Sequence, residues 1–378
     1  MISNKKERDI RMLARFEVEN FKNFKDRLIL DLEKKNNYEF NTELVKYDVI
    51  RAGVIFGDNA AGKSNLGLAI FDLISHLTDK EKGISKYKNY LNLDSEKEYA
   101  EFTYIFKFDK TYVKYEYKKR DSKTLIEERL EIDNQEMIGY NYETHDAFCQ
   151  LEGTENLNTN LENSDISFIK YINANTVLID TPSNTAFKKF ISFVNSMLLF
   201  YSLQDNHYQG FKTGTEGIAE GIINRGKLAD FELFLNAVGI KCKLIEKEID
   251  DSVNIYNVFK NAEVNFFSTA STGTKSLALF YFWLIQMEEM SLVFIDEFDA
   301  YYHYTLAAEV VKYVTEHMHL QVLFTSHNTN LMSNDLLRPD CYFNLKKGSI
   351  KSFASLTDKE LRKAHNLQKM YKAGAFDE

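Results

Sequence analysis

An eight-residue run, GDNAAGKS at positions 57–64, leaves few folds open to this chain. It has the form G-x-x-x-x-G-K-[ST], in which the glycines let backbone N–H groups turn toward phosphate oxygens. Residues 54–56 before it are apolar, and residues 65–70 after it follow a helical pattern. Because a loop of this kind works between a strand and a helix, the context predicts a phosphate-binding loop in an α/β sheet.

Each fixed position of the loop has a chemical role. Lys63 reaches the β- and γ-phosphates as a point charge, and the Ser64 hydroxyl is placed to ligate Mg²⁺. The backbone amides of the loop cradle the α- and β-phosphates. The pattern therefore assigns nucleotide binding to Gly57, Asp58, Asn59, Ala60, Ala61, Gly62, Lys63, Ser64 and Asn65.

Two acidic residues far downstream form a second phosphate-handling segment. Residues 292–295 are apolar and are followed by Asp296 and Glu297. This order is typical of a buried parallel strand whose carboxyl end presents acids, and it is the Walker B pattern. It predicts that Asp296 belongs to the Mg²⁺ shell and that Glu297 is the catalytic group that orients the attacking water.

A histidine ends the next apolar run. Residues 321–324 read as a strand, and His327 follows at the end where ligands bind in open α/β sheets. An imidazole there can donate a hydrogen bond to a γ-phosphate or to the attacking water. The sequence thus predicts three catalytic residues: Lys63, Glu297 and His327.

The segment STGTK at 271–275 precedes a strongly apolar helical pattern at 276–285. Small polar residues and a glycine at a helix N-terminus can form an anion site from backbone amides and the helix dipole. A simple helix cap is the alternative interpretation. The position of the segment, one helix length before Walker B, favours the anion site.

Taken in order, GDNAAGKSN, STGTK, LVFIDEFDA and FTSHN resemble the motifs of the ABC-class ATPases of the SMC, RecF and OLD group. Residues 361–371 resemble the tail of stand-alone bacterial AAA-type ATP-binding proteins of the abortive-infection and phage-defence group. The resemblance covers roughly residues 12–132 and 255–378. It implies an ATP-hydrolysing head that requires ATP and Mg²⁺ as cofactors.

The resemblance also implies roles for residues that no pattern alone assigns. STGTK looks like the signature loop, so that Ser271 and Gly273 would close over the γ-phosphate bound by another protomer. Asp299 falls at the position of the D-loop aspartate, and His303 matches a histidine common at its position. A Q-loop glutamine has no clear counterpart, and residues 89–92 are where we look for that loop.

Residues 16–24 resemble the opening strand and the NFxxF turn of the same group. In that group the turn lies near the nucleotide base. The resemblance therefore implies that Asn20, Asn23 and Phe24 contribute to nucleotide binding.

The chain divides into three predicted parts. Residues 1–132 form the N-terminal part of the head, residues 133–255 an inserted helical lid, and residues 256–378 the C-terminal part with the signature, Walker B and the switch histidine. Residues 98–132 alternate polar and apolar, which predicts an antiparallel meander, whereas 186–198 and 228–235 are helical patterns. The fold class is α/β: an ABC-ATPase head with a mixed sheet around a P-loop core, a β-meander and an inserted helical cap.

Composition limits the partners. The 378 residues are 44% hydrophobic, as in a globular protein, and the formal net charge is −9. That charge argues against nucleic-acid binding over a broad surface but leaves a local basic groove open. The absence of a membrane-length apolar run and of a hydrophobic N-terminal signal predicts a cytoplasmic protein without a membrane partner. The scattered Cys149, Cys242 and Cys341 predict reduced thiols rather than a metal site.

These features predict a Mg²⁺-dependent ATPase that forms a homodimer, or a higher even-numbered oligomer, through its ATP sites. The first hypothesis is the sensor or regulator ATPase of a bacterial anti-phage defence system, which controls a separate effector protein, a nuclease or a toxin. The alternative is a RecF- or SMC-like DNA-repair ATPase that binds DNA directly, which keeps nucleic acid open as a partner. A third hypothesis is a nucleotide-gated scaffold with negligible turnover, against which the intact Glu297 and His327 argue.

Overall fold

The computed structural model describes residues 11–34, 36–80, 87–161, 166–201, 207–210, 217–249, 252–286, 290–300, 304–317 and 320–377. Its strands are β1 (Arg11–Glu19), β2 (Leu28–Asp31), β3 (Val45–Lys46), β4 (Val49–Ile50), β5 (Ala52–Gly57), β6 (Ala100–Phe108), β7 (Thr111–Lys119), β8 (Leu125–Ile132), β9 (Gln135–Asn141), β10 (Ala147–Cys149), β11 (Leu198–Tyr201), β12 (His207–Gly210), β13 (Leu244–Ile249), β14 (Ser252–Val258), β15 (Glu263–Asn265), β16 (Leu292–Asp296), β17 (Gln321–Thr325), β18 (Tyr342–Lys346) and β19 (Ser349–Ser352).

The α-helices are α1 (Lys63–Ile70), α2 (Ile74–Leu77), α3 (Phe168–Asn175), α4 (Pro182–Asn195), α5 (Ile218–Asn224), α6 (Leu228–Ala237), α7 (Phe266–Thr269), α8 (Thr272–Leu284), α9 (Tyr304–His317) and α10 (Leu367–Lys372). Short 3₁₀ helices cover Thr42–Leu44, Thr329–Leu331, Pro339–Cys341 and Phe353–Ser355.

A mixed seven-stranded sheet forms the centre of the molecule, in the order β12-β11-β16-β17-β5-β18-β19. The five inner strands run parallel, and the two edge strands pair antiparallel. The strands β5, β16 and β17 are buried along their whole length, as expected for parallel strands covered on both faces. Because β17 lies between β16 and β5, their carboxyl ends meet at one edge of the sheet.

A second seven-stranded sheet is antiparallel, in the order β10-β9-β8-β7-β6-β1-β2. Its strands β6 and β7 alternate buried and partly exposed residues, with one face turned to the core. The predicted meander at 98–132 is therefore present as β6, β7 and β8. With the P-loop core in the mixed sheet, it confirms the α/β fold class.

Helix α1 lies between the two sheets. Gly67 faces Phe294 of β16 so closely that an added Cβ would stand 2.8 Å from the Phe294 ring. On the other side, the Tyr104 hydroxyl of β6 donates a hydrogen bond of 2.9 Å to the Ala69 carbonyl. The absence of a side chain at Gly67 thus lets the P-loop helix pack directly on the sheet that carries the Walker B strand.

The segment predicted as a helical lid, residues 133–255, contains helices α3 to α6 but also contributes strands to both large sheets. β9 pairs with β8 in the antiparallel sheet, and β11 pairs in parallel with β16. The helical pattern predicted over 186–198 ends at Asn195, because Leu198–Tyr201 forms a fully buried strand instead. The strand forms there because its backbone groups pair in parallel with those of β16.

The last part of the chain packs on the central sheet. Leu361, Leu367 and Phe376 are buried, and the Phe376 ring stacks on Phe353 with centroids 4.3 Å apart. The three cysteines carry free thiols. Among the described helices, none has the length and apolar character needed to cross a membrane.

Candidate functional site

The phosphate-binding loop connects β5 to α1 at the shared strand edge. Gly62 caps α1 with a left-handed backbone (φ 106°), and Ala60 is also left-handed (φ 63°). The Ala61 N–H donates to the Asp58 carbonyl at 3.1 Å, which closes the turn. Asp58, Asn59 and Ala60 are exposed at the tip of the loop. Position 62 favours glycine because residues with a side chain rarely adopt its φ of 106°, and an added Cβ would also lie 2.2 Å from Asn23 Nδ2.

Lys63 is buried at the start of α1, and its ammonium group is held by the loop. Its Nζ donates to the Gly57 carbonyl at 3.0 Å and to the Asp58 carbonyl at 3.4 Å, and it lies 2.8 Å from His327 Nε2. Burial lowers the pKa of Lys63, and the nearby charges of Glu297 and Asp296 oppose that shift. The lysine therefore carries a cation whose desolvation the protein only partly compensates.

Asp296, at the end of β16, is buried and bonded to two hydroxyls. Thr325 Oγ1 donates to Asp296 Oδ1 at 2.8 Å, and Ser64 also forms a hydrogen bond with this carboxyl group. Burial raises the pKa of Asp296, and these two hydrogen bonds oppose the shift. A hydroxyl and a carboxylate in contact form a hard oxygen donor pair of the kind that Mg²⁺ prefers.

The Ser64 hydroxyl and the Asp296 carboxylate suit Mg²⁺ better than a metal ion that needs a full set of protein ligands. In the described part of the chain, no group of three or more His, Cys, Asp or Glu residues could hold a metal ion. Mg²⁺ commonly takes one or two protein ligands and completes its shell with water and phosphate oxygens. Ser64 and Asp296 suit that arrangement.

Glu297 and His327 face each other across the site. Glu297 has a left-handed backbone (φ 47°), and β16 ends at the residue before it. Its Oε1 lies 3.4 Å from His327 Nε2, and the two side chains are 26% and 40% exposed. Because the same imidazole nitrogen also meets Lys63, the three predicted catalytic residues form one contact chain with a solvent-accessible side.

Asp299 follows in the turn after β16. Ser326 Oγ donates to Asp299 Oδ2 at 2.7 Å. Burial raises the pKa of Asp299, and the Ser326 hydrogen bond opposes the shift. His303, which the resemblance places in the same region, lies outside the described residues.

The turn at 20–24 splits into residues that touch the loop and residues that do not. Asn23 Nδ2 donates to the Ala61 carbonyl at 3.1 Å, and Asn23 Oδ1 accepts from Asn65 Nδ2 at 2.7 Å. Asn20 and Phe24 are fully buried, and the Asn20 amide donates to the carbonyls of Lys97 and Tyr99 at 2.8 Å. The side chains of Asn20 and Phe24 therefore cannot make the predicted contact with a nucleotide, because both are enclosed in the protein interior.

Residues 89–92, the region expected for the Q-loop, pack on this turn. The Lys22 N–H donates to the Tyr90 carbonyl at 2.9 Å, and Asn92 Nδ2 donates to the Lys22 carbonyl at 2.6 Å. Asn23, one residue further, contacts the phosphate-binding loop. Residues 89–92 are therefore connected to the phosphate-binding loop indirectly, by way of the turn at 20–24.

The signature-like segment lies at the N-terminus of α8. The Ser271 hydroxyl caps this helix by accepting from the Thr274 N–H at 3.2 Å. Ser271 is exposed and Gly273 is partly exposed. Within the described ranges, no hydrogen bond joins Ser271 or Gly273 to the phosphate-binding loop of the same chain. The start of α8 therefore lies at the surface of the described part of the chain.

Two hydroxyl residues of the site were not singled out from the sequence. Thr325 bonds both Asp296 and the Glu297 backbone, and Ser326 bonds Asp299. Their signal in the sequence is only their position after an apolar strand and before His327. That position becomes informative once β16 and β17 are known to be neighbours.

Comparison with known proteins bears on this site. A family-wide sequence profile described as “AAA domain, putative AbiEii toxin, Type IV TA system” matches residues 54–333, a span that runs from β5 past His327. No curated protein has a sequence that matches this chain.

Solved structures give distant matches. The SMC head domain from Thermotoga maritima is 13% identical, with 90% of this chain and 97% of that chain covered and a TM-score of 0.45. An SmcHead bound to the C-winged helix domain of ScpA is 14% identical, with 90% and 96% covered and a TM-score of 0.45. An Smc head domain with an extended coiled coil, bound to the C-terminal domain of ScpA derived from Pyrococcus furiosus, is 11% identical, with 91% and 96% covered and a TM-score of 0.45.

Proposed function

Because the chain belongs to the family described as “AAA domain, putative AbiEii toxin, Type IV TA system”, we propose that it is a Mg²⁺-dependent ATPase that acts as a nucleotide-driven dimerising switch. In this proposal it is the sensor or regulator of a bacterial anti-phage defence system and controls a separate effector. The observation that carries the proposal is the contact chain of Lys63, His327 and Glu297 beside Asp296. The family description names a putative toxin and a toxin–antitoxin system, which supports a role of the chain in such a system.

The residues of the site divide the work of phosphoryl transfer. Lys63 offers an incompletely compensated positive charge at the N-terminus of α1, where loop amides also face an anion. Glu297 is placed to orient a water molecule and accept its proton, and His327 lies 3.4 Å from that carboxylate. Ser64 and Asp296 would hold Mg²⁺, which when bound neutralises charge on the phosphate oxygens. Positioning and charge stabilisation are the main contributions a protein makes to this reaction.

The open N-terminus of α8 supports a site shared between two copies. Ser271 and Gly273 do not bond to the loop of their own chain in the described ranges, although they offer backbone amides at a helix start. In the proposed dimer, these two residues close over the γ-phosphate held by the partner. ATP binding then favours the dimer, and hydrolysis releases it.

Direct DNA binding is the weaker proposal. On the solvent face of the antiparallel sheet, Arg27 pairs with Glu17, Glu19 and Glu101 at 2.9–3.5 Å, and Lys118 pairs with Glu127 at 3.1 Å. Cations that are already paired with carboxylates contribute little to phosphate binding and counterion release. The face therefore offers less positive potential than its lysine and arginine content indicates.

Mass photometry and phosphate release test the proposal together. We expect the wild type to release phosphate from ATP only with Mg²⁺, and Glu297→Gln to accumulate an ATP-dependent dimer because it binds ATP but does not hydrolyse it. The product of the adjacent gene should join that dimer. A protein that stays monomeric with ATP in both forms would refute the shared site. Degradation of nucleic acid by the purified chain alone would refute the separate effector.

A further inference from the structure

Two consecutive hydroxyl residues, Thr325 and Ser326, join the end of β17 to the acidic segment that follows β16. Both are fully buried, with no measurable exposed surface. A buried hydroxyl is stable only when its hydrogen-bonding capacity is used, and a single hydroxyl can both donate and accept. The partners of these two hydroxyls therefore show what they hold in place.

Thr325 holds the two Walker B acids by different atoms. Its Oγ1 donates to Asp296 Oδ1 at 2.8 Å and accepts from the Glu297 N–H at 2.7 Å. The first bond fixes the rotation of the Asp296 carboxyl group. The second anchors the Glu297 amide, whose residue has a left-handed backbone (φ 47°) that is uncommon outside glycine.

Ser326 makes the equivalent connection one residue further along. Its Oγ donates to Asp299 Oδ2 at 2.7 Å and accepts from the Asn328 N–H at 2.8 Å. Asn328 directly follows His327. Ser326 thus links the aspartate of the turn after β16 to the backbone beside the switch histidine.

We infer that Thr325 and Ser326 are positioning residues of this site: Thr325 sets the metal-binding geometry of Asp296 and the orientation of Glu297, and Ser326 couples Asp299 to the His327 segment. The inference rests on the proposed function, because it concerns the same nucleotide site. The inference assigns a different effect to each of the two neighbouring hydroxyls, Thr325 and Ser326. Loss of the Thr325 hydroxyl weakens metal binding. Loss of the Ser326 hydroxyl releases Asp299 and the His327 segment of the proposed ATP site, and therefore weakens the dimer that ATP binding favours.

The test for Thr325 uses Thr325→Val, which keeps the side-chain shape, and Thr325→Ser, which keeps the hydroxyl. Electron paramagnetic resonance measures the affinity for Mn²⁺, a paramagnetic substitute for Mg²⁺, in the presence of a non-hydrolysable ATP analogue. We expect Thr325→Val to lose about 10-fold in Mn²⁺ affinity, as for other residues that orient a metal ligand, and Thr325→Ser to remain within about twofold. Thermal melts of both variants verify that the protein is folded.

The outcomes separate the inference from the proposed function. Wild-type affinity in folded Thr325→Val, or equal losses in both variants, would overturn the role of Thr325 while leaving the ATPase proposal intact. If Thr325→Val does not fold, Thr325→Ser with a 10-fold loss also overturns it. A wild type that binds Mn²⁺ and nucleotide without hydrolysing ATP refutes only the ATPase proposal, whereas a wild type that binds neither refutes both.

The test for Ser326 is a double-mutant cycle with Asp299. Ser326→Ala and Asp299→Ala are measured singly and together in the Glu297→Gln background, with the ATP-dependent dimer dissociation constant as the readout. We expect each single change to weaken the dimer several-fold, and the double variant to be no weaker than Asp299→Ala alone, because Ser326 acts through Asp299. Additive losses would show a role of Ser326 that is independent of Asp299 and would overturn the coupling.

Discussion

Among the residues that the structure describes, two lysines are buried, and they are held in different ways. Lys119 in the antiparallel sheet donates to Asp72 Oδ2 at 3.0 Å, to Ser75 Oγ at 2.7 Å and to the Ser122 carbonyl at 3.2 Å. Lys63 in the phosphate-binding loop has two carbonyls and an imidazole as partners, and in the described residues it forms no ion pair with a carboxylate. The charge of Lys119 is matched inside the protein, whereas that of Lys63 is available to an anionic ligand.

Two carboxylates, Glu128 and Glu297, differ in the same way as the two lysines. Glu128, a buried residue of β8 in the antiparallel sheet, accepts hydrogen bonds from Tyr115, Tyr142, Ser167 and the Phe168 N–H, so its oxygens are enclosed by donors. Glu297 meets His327 at 3.4 Å and keeps a quarter of its side chain exposed. Buried charge alone therefore does not identify a functional site. A charge that is only partly paired within the protein and that remains accessible to solvent is the more informative sign of a functional site.

The largest expected effect is on stability, from Lys119→Met. This change leaves Asp72 buried without its cation, so the free energy of unfolding should fall by about 3–5 kcal/mol. Urea denaturation followed by circular dichroism measures the loss. The double variant Lys119→Met/Asp72→Asn should recover part of it, because the uncompensated charge is gone. A Lys119→Met variant as stable as the wild type would show that the Lys119–Asp72 ion pair does not stabilise the fold.

The same substitution at Lys63 should have the opposite pattern. Since burial lowers the pKa of Lys63, folding does not depend on its charge, and Lys63→Met should keep the stability of the wild type. Phosphate release should fall about 100- to 1,000-fold, because a charge aimed at the phosphates is lost. A colorimetric phosphate assay beside a thermal melt checks both halves. The comparison fails if Lys63→Met unfolds the protein or retains its activity.

The buried His76 predicts a pH effect on stability. Burial lowers its pKa well below the usual 6.5, and the nearby Lys119 charge adds to the shift. The unfolded chain binds a proton below pH 6.5 and the folded protein does not, so stability falls as pH falls through that range, by up to about 1.4 kcal/mol per pH unit. His76→Phe should flatten this slope between pH 6.5 and pH 5. The exposed His145, changed to Asn, is the control that should leave it unaltered.

The parts of the site that could be predicted from the sequence are those that local pattern determines. An apolar strand followed by polar residues places Gly57, Asp296 and His327 at strand ends, and parallel pairing brings these ends together. The strand Leu198–Tyr201 could not be predicted in this way, because its apolar residues continue the pattern of α4. Its conformation depends on pairing with β16, which is almost a hundred residues away.

The role of Thr325 depends on a distant neighbour in the same way. Its hydroxyl has a partner only because β17 lies beside β16, so no pattern within the run 321–327 indicates it. Asn20 and Asn23 differ for a related reason. Both lie in one turn, but only the fold decides which amide faces the interior and which faces the loop.

That contrast in the turn gives the smallest predicted effect. Asn23→Ala removes the hydrogen bonds to the Ala61 carbonyl and to Asn65, which hold the partly exposed phosphate-binding loop. ATP affinity should fall roughly fivefold, which corresponds to about 1 kcal/mol, whereas stability should change little because water can replace these bonds. Asn20→Ala leaves the carbonyls of Lys97 and Tyr99 buried without donors and should instead cost about 1–3 kcal/mol of stability.

Fluorescent-nucleotide titration and urea denaturation of both variants separate the two roles. Equal losses of affinity, or a stable Asn20→Ala variant with weakened ATP binding, would show that the buried asparagine contributes to the nucleotide site after all. The expected pattern, affinity lost at Asn23 and stability lost at Asn20, would extend the distinction between the two lysines to uncharged side chains. A group whose bonding capacity is used within the core stabilises the fold, and a group that borders the open loop contributes to ligand binding.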